Sequence, residues 1–148
     1  ARWCEIDGAV WTIPGTRMKS SREHRVPLSL PAQQIIEELR ALSADADGFV
    51  FPGGRNGTPL SNMAMAAVLK RMGRGGITAH GFRSCFRDWA RESTNFPREV
   101  AETALAHILK DKVEAAYARG DLLDKRRELM AAWADYALPP AAGAAATG

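Results

Sequence analysis

Thr78-Ala79-His80-Gly81-Phe82-Arg83-Ser84-Cys85-Phe86-Arg87-Asp88-Trp89-Ala90-Arg91 is the most informative stretch of the chain. Phe82, Cys85, Phe86 and Trp89 recur at helical spacing, which predicts one buried face of an α-helix. Arg83, Arg87 and Arg91 follow each other at every fourth position along another flank. Thr78 is placed to cap the start. The stretch thus predicts a helix with its apolar side toward a core and a row of guanidinium groups beside it.

Working toward the carboxyl end, Pro97 starts a further helix whose inner face is Val100, Ala101, Ala104 and Leu105. A short helix runs through Val113 and Tyr117 and closes at Gly120. Asp121 is placed to cap the last helix, which packs through Leu122, Leu129, Met130, Trp133 and Tyr136. Working toward the amino end, Ser61 reads as the N-cap of a helix carrying Met65, Val68, Leu69 and Met72, ended by Gly73, Gly75 and Gly76. Pro31 opens another in the tolerated first turn, with the stripe Ile35, Ile36, Leu39 and Leu42. Val10-Trp11-Thr12-Ile13 and Arg25-Val26-Pro27-Leu28 are β-prone runs on either side of the polar stretch Thr16 to Glu23. They predict a hairpin with a long basic loop, and Trp3 to Asp7 supplies a third strand. The fold class is therefore α+β: mainly α, with a small antiparallel sheet. One domain spans residues 1–138, and the low-complexity residues 139–148 are read as a flexible tail.

Composition bounds the rest. The chain has 148 residues, a formal net charge of +3, 46% hydrophobic and 25% charged residues. These are ordinary globular values and exclude a disordered polyelectrolyte or a collagen-like repeat. No apolar run approaches the ~20 residues of a membrane helix, so no membrane partner is expected. The opening Ala1 to Asp7 has neither a basic nor an apolar leader segment, and reads as a cut from something longer. Cys4 and Cys85 are too few and too far apart for a disulfide framework or a Cys-rich zinc site. A reduced cytoplasmic compartment and packing roles suit both thiols. Charge is uneven: residues 61–91 hold Lys70, Arg71, Arg74, Arg83, Arg87 and Arg91 against Asp88 alone. Arg17, Lys19, Arg22 and Arg25 form a second cluster broken only by Glu23. Fifteen of the twenty cations are arginine, whose planar fork suits phosphate oxygens. Two such stretches fit a polyanion partner, or equally an ordinary solvated face.

Several residues could carry chemistry. His80 and Arg83 share one turn at the start of a helix, beside free backbone N–H groups of the kind that bind phosphates. His107 follows Leu105-Ala106. Lys19 lies in the basic loop, and Tyr117 follows Ala115-Ala116. Taken singly, each is as well explained as surface, cap or packing. Their order is more specific: lysine in a hairpin loop, His-x-x-Arg, then histidine, then tyrosine ten positions on.

In that order, and in the pieces Arg2-Trp3-Cys4-Glu5-Ile6-Asp7, Met18-Lys19, His24-Arg25-Val26-Pro27-Leu28, His80-Gly81-Phe82-Arg83, Leu105-Ala106-His107 and Ala116-Tyr117, the chain resembles the tyrosine recombinases, the phage and genomic-island integrases. The resemblance runs from about Trp3 to Tyr136 and implies the catalytic-domain fold of that family. It implies that Arg83 binds the scissile phosphate. His80 and His107 would donate hydrogen bonds to it or assist proton transfer. Lys19 would protonate the departing 5′-oxygen, and Tyr117 would attack phosphorus to form a 3′-phosphotyrosyl link. Such a site gathers negative charge on the phosphorane oxygens, which fixed cations and donors stabilise. It needs no ATP, no metal and no cofactor. Arg17, Arg22, Arg25, Arg87 and Arg91 are candidate contacts to backbone phosphates.

The partners implied are double-stranded DNA attachment sites and a homotetramer on DNA, in a bacterial cytoplasm at the nucleoid. The family also uses a second catalytic arginine, on a helix before the first strand, and a separate amino-terminal DNA-clamping domain. Arg2 does not match that arginine. The chain is therefore expected to fold but to cleave DNA feebly or not at all. Two other readings are a non-catalytic DNA-binding module or decayed integrase, which needs only the basic surfaces, and a metal-dependent nuclease. The last helix is read as packing in its own chain or docking on a neighbouring protomer. Tyr136, the other phenol, is assigned to structure.

Overall fold

The computed structural model describes residues 1–43, 47–55, 57–107 and 121–138. The expected helix through Val113 and Tyr117, and the tail from 139 on, lie outside them. Among the described residues the architecture is a small antiparallel sheet with helices packed beside it, as the hydrophobic patterning predicted. The strands are β1 (Ile6–Asp7), β2 (Val10–Ile13) and β3 (His24–Pro27), in the order β1-β2-β3. Ile6 pairs with Trp11, Val10 with Pro27 and Ile13 with His24. Strand β1 is shorter than the predicted Trp3 to Asp7, because Trp3–Glu5 forms a 3-10 turn that buries the Trp3 ring. Arg40 lies over that ring, 4.7 Å from its centre.

The helices are α1 (Leu30–Leu42), α2 (Ala64–Arg71), α3 (Ala79–Glu92), α4 (Arg98–Ala104) and α5 (Leu123–Ala137). The core lies where α3, α4 and α5 meet. Phe86, Trp89, Ala90, Val100, Ala101 and Leu129 are buried there, with Phe96, Ala104, Leu105, Leu122, Met130 and Trp133 packed around them. Phe86 meets Trp133 edge-on, with ring centres 5.4 Å apart, and Trp89 stacks on Tyr136 at 5.6 Å. Such pairs add to simple area burial. Tyr136 is thus a packing residue although its outer side is exposed.

Arg126 fastens α5 to the sheet. It is fully buried and donates from Nε to the Asp121 carbonyl (2.6 Å) and from Nη1 to the Arg25 carbonyl on β3 (2.5 Å). Its Nη2 lies 3.3 Å from an Asp121 carboxylate oxygen. Asp121 in turn binds Arg25 Nε at 2.6 Å and accepts from the Leu123 N–H at 3.2 Å. Asp121 is therefore not the N-cap the sequence predicted: Leu122, in the left-handed region (φ 52°), holds that position, and Asp121 stands one residue before it.

Four further expectations need correction. Phe82 and Cys85 are exposed, not buried: of the predicted face, Phe86 and Trp89 alone point into the core, together with Ala90. Helix α3 meets its partners through the turns from Phe86 on, so its first turns extend past the core. Cys4 is exposed as well, so neither thiol is a packing residue. Ser61 does not cap α2. It closes a turn by accepting the Ala64 N–H on its carbonyl, and α2 starts at Ala64. The stripes of α1 and α2 are mostly exposed: α1 buries no residue and α2 only Leu69.

Candidate active site

Thr78 caps α3 as the sequence predicted, its hydroxyl accepting the Gly81 N–H at 3.1 Å. The cap sets the first turn, so His80 and Arg83 share one side of the helix start, with His80 exposed and Arg83 half-buried. The Arg83 guanidinium donates from Nη2 to the Leu105 carbonyl. That carbonyl belongs to the end of α4, where backbone acceptors lack helical partners.

The end of α4 is a Schellman turn. The His107 N–H returns to the Glu102 carbonyl (2.9 Å) and the Ala106 N–H to Thr103 (2.9 Å), while Ala106 takes the left-handed conformation (φ 53°). Glycine usually fills that position, and a Cβ there costs roughly 1–2 kcal/mol. The turn folds His107 back against its own helix, so that its Nδ1 lies 2.5 Å from Glu102 Oε2. The other Glu102 oxygen is 3.2 Å from Arg87 Nε on α3. Burial on its own would push the Glu102 carboxyl up. The bond to His107 and the charges of His107, Arg87 and Arg98 outweigh it and hold the carboxyl below its ordinary value.

His24 adds a third element. It begins β3, is half-buried and meets the Ala104 backbone. Burial first, and then the positive charge of Arg126, lower its imidazole below the ordinary value, against the pull of the Ala104 backbone and Asp121. The start of β3 therefore lies against the end of α4, with Arg83 within electrostatic reach.

The basic loop between β2 and β3 is rooted beside this point. Lys19 sits on it, exposed. The loop folds tightly around Gly15, where a Cβ would meet the Ser21 carbonyl oxygen at 2.8 Å. Arg17 ties it to Glu5 at 2.5 Å, and Trp11 Nε1 reaches the same carboxylate at 3.2 Å.

Arg83 and His107 thus converge on the end of α4, His80 stands one turn from Arg83, and Arg87 joins through Glu102. No contact joins Lys19 to this group among the described residues, and Tyr117 lies outside them. Of the arginines read as phosphate contacts, Arg17, Arg25, Arg87 and Arg91 each carry a carboxylate partner (Glu5, Asp121, Glu102 and Glu92), and Arg22 is exposed. Sequence reasoning gave no role to Glu102 or His24. His24 stands within a motif already quoted. Glu102 carries no helical spacing to His107, because only the reversal at Ala106 brings the two together.

The fold and this cluster define an α+β domain that presents arginine and histidine side chains at the meeting of two helix ends and a strand. Comparison with known proteins narrows the class. Over 91% of its length the chain is 43% identical to prophage integrase IntA of Escherichia coli (strain K12), of which it covers 33%. It is 34% identical to the integrase of Enterobacteria phage P4 over 92% of the chain and 35% of that protein. It is 33% identical to the integrase of Shigella phage Sf6 over 91% of the chain and 36% of that protein. No family model and no solved structure matches. The chain spans about a third of the length of these relatives. It is a relative of the phage and prophage integrases. No helix among the described residues is long and apolar enough to cross a membrane.

Proposed function

We propose that this chain is the catalytic domain of a tyrosine-type site-specific recombinase, which cuts and rejoins DNA at the attachment sites of a mobile element. Arg83, His80 and His107 hold the scissile phosphate, and their positive charge and N–H groups stabilise the phosphorane. The Tyr117 oxygen forms a bond to phosphorus as the bond to the 5′-oxygen breaks. Lys19 gives its proton to that departing oxygen, and the phenol's own proton passes to water as attack proceeds. The link keeps the energy of the diester, so the reverse attack by a 5′-hydroxyl reseals the strand. Arg22 and the flanking Arg17, Arg25, Arg87 and Arg91 track the DNA backbone, exchanging carboxylate partners for phosphates. A tetramer on two duplexes completes the exchange.

The observation that carries this reading is the convergence of Arg83 and His107 on the end of α4, in a chain related to integrases. The test is covalent trapping of the full-length protein on a nicked duplex that carries the attachment site, with the adduct mapped by mass spectrometry. The expected adduct is at Tyr117, and Tyr117→Phe abolishes it while DNA binding persists. An adduct at another residue, or one unchanged in Tyr117→Phe, overturns the assignment. Binding with no adduct in the unsubstituted protein favours a non-catalytic DNA-binding module.

A further inference from the structure

Glu102 is 9% exposed, yet both of its carboxylate oxygens are engaged. One faces His107 Nδ1 at 2.5 Å and the other Arg87 Nε at 3.2 Å. The same residue accepts the His107 backbone N–H. His107 is thus gripped twice by one residue, and its ring remains about one-third exposed (37%). An ionised carboxylate only accepts hydrogen bonds, so the proton between the two groups belongs to Nδ1. Arg87 forms an ion pair with the second oxygen. The charged groups around the pair are Arg83 and Arg87 from α3, Arg98 from α4 and the His24 ring from β3.

We propose that Glu102 is a positioning residue for His107: it accepts the Nδ1 proton and leaves Nε2 for the phosphate, so that the ring meets the phosphate as the imidazolium, with Nε2–H donating to a phosphate oxygen. This rests on the recombinase reading for the identity of the ligand, but not for the geometry. A histidine held in this way presents one defined nitrogen to its ligand, and toward an anion that nitrogen must carry a proton. Without the carboxylate the ring would choose its tautomer by solvation and could turn.

Glu102→Gln separates this from a merely structural role. The amide has the same shape but one acceptor and one donor. The Arg87 cation attracts the amide oxygen and repels the N–H₂, so the N–H₂ faces His107. Nδ1 must then accept, and the proton moves to Nε2. The ring nitrogens of the chain are read by ¹⁵N NMR at a pH where the imidazole is neutral. The expected result is Nδ1–H in the unsubstituted chain and Nε2–H in Glu102→Gln. The same tautomer in both overturns the proposal.

In the full-length protein the amide N–H₂ at Nδ1 excludes the second proton, so the ring meets the phosphate uncharged, and Glu102→Gln should slow adduct formation at saturating DNA about tenfold, with little change in DNA affinity. In a His107→Ala background the same substitution should slow it no further. Fully additive losses mean that Glu102 does not act through His107, and also overturn the proposal. If His107→Ala by itself leaves adduct formation unchanged, the catalytic reading of the site fails, and the NMR comparison still decides whether Glu102 sets the tautomer.

Discussion

Helices α3 to α5 and helices α1 and α2 carry apolar stripes of the same kind and use them differently. On the first set, Phe86, Trp89, Val100 and Leu129 close a core, and Val100 and Leu129 are wholly inaccessible. On the second, Ile35, Leu42, Met65 and Met72 are each more than half exposed. An amphipathic pattern buries its face only where a second face lies opposite. Helices α3, α4 and α5 supply each other with one, and aromatic rings fill the junction. The residues of the candidate site follow the packed set. Arg83 and Glu102 grow from α3 and α4, and His107 is folded back on α4. A functional cluster gains fixed geometry from such rigid supports. His80 and Lys19, by contrast, are exposed.

This contrast can be broken or sharpened by substitution. Arg126→Ala should have the largest effect, about 3–5 kcal/mol of lost stability. It removes a buried cation that bonds the Asp121 and Arg25 carbonyls, and leaves those acceptors unpaired. Denaturant unfolding measures it, and a loss below about 1 kcal/mol would show that α5 is held to β3 by apolar contacts alone. Leu129→Ala should cost about 2–5 kcal/mol, against less than about 0.5 kcal/mol for Leu42→Ala. Comparable losses at the two positions would erase the distinction between the packed and the exposed helices.

A smaller change of opposite sign is expected at the site itself. Ala106→Gly relieves the left-handed backbone at the end of α4 and should stabilise the fold by about 1 kcal/mol in the same unfolding measurement. Unchanged or lowered stability would mean that the turn before His107 carries no strain.

The smallest effect concerns pH. The His24 imidazole is held below its ordinary value of 6.5, so the unfolded chain binds its proton more readily than the folded one. Stability should therefore be unaffected by this group above about pH 6.5 and fall as the pH drops below it. Glu5, Glu102 and Asp121 are held below their ordinary values, and their contribution is lost only at lower pH, below about 4.5. His24→Gln should flatten the first limb and leave the second. A first limb that persists in His24→Gln would assign it to another group.

Much of the fold was legible from local signals. The β2–β3 hairpin, the Thr78 cap, the Pro97 start of α4 and the Asp121 contact at α5 all follow from side chains acting on their own backbone within a few residues. Ser61 failed as a cap because its signal competes with ordinary turn formation, which the same residue serves. The predicted face of α3 was correct in direction and wrong in extent, because periodicity gives the angle of a stripe but not the length of helix that another element covers.

The sequence by itself determined the alternation of helices and strands, the crowding of arginines and the order of lysine, histidines and arginine that resembles an integrase. Those depend on spacing along the chain. Tertiary structure alone decided which stripes are buried, that Arg126 rather than an apolar residue ties α5 to β3, and that Glu102 faces His107. Each of these depends on elements that meet in space, and on one backbone reversal at Ala106, for which hydrophobic periodicity carries no term.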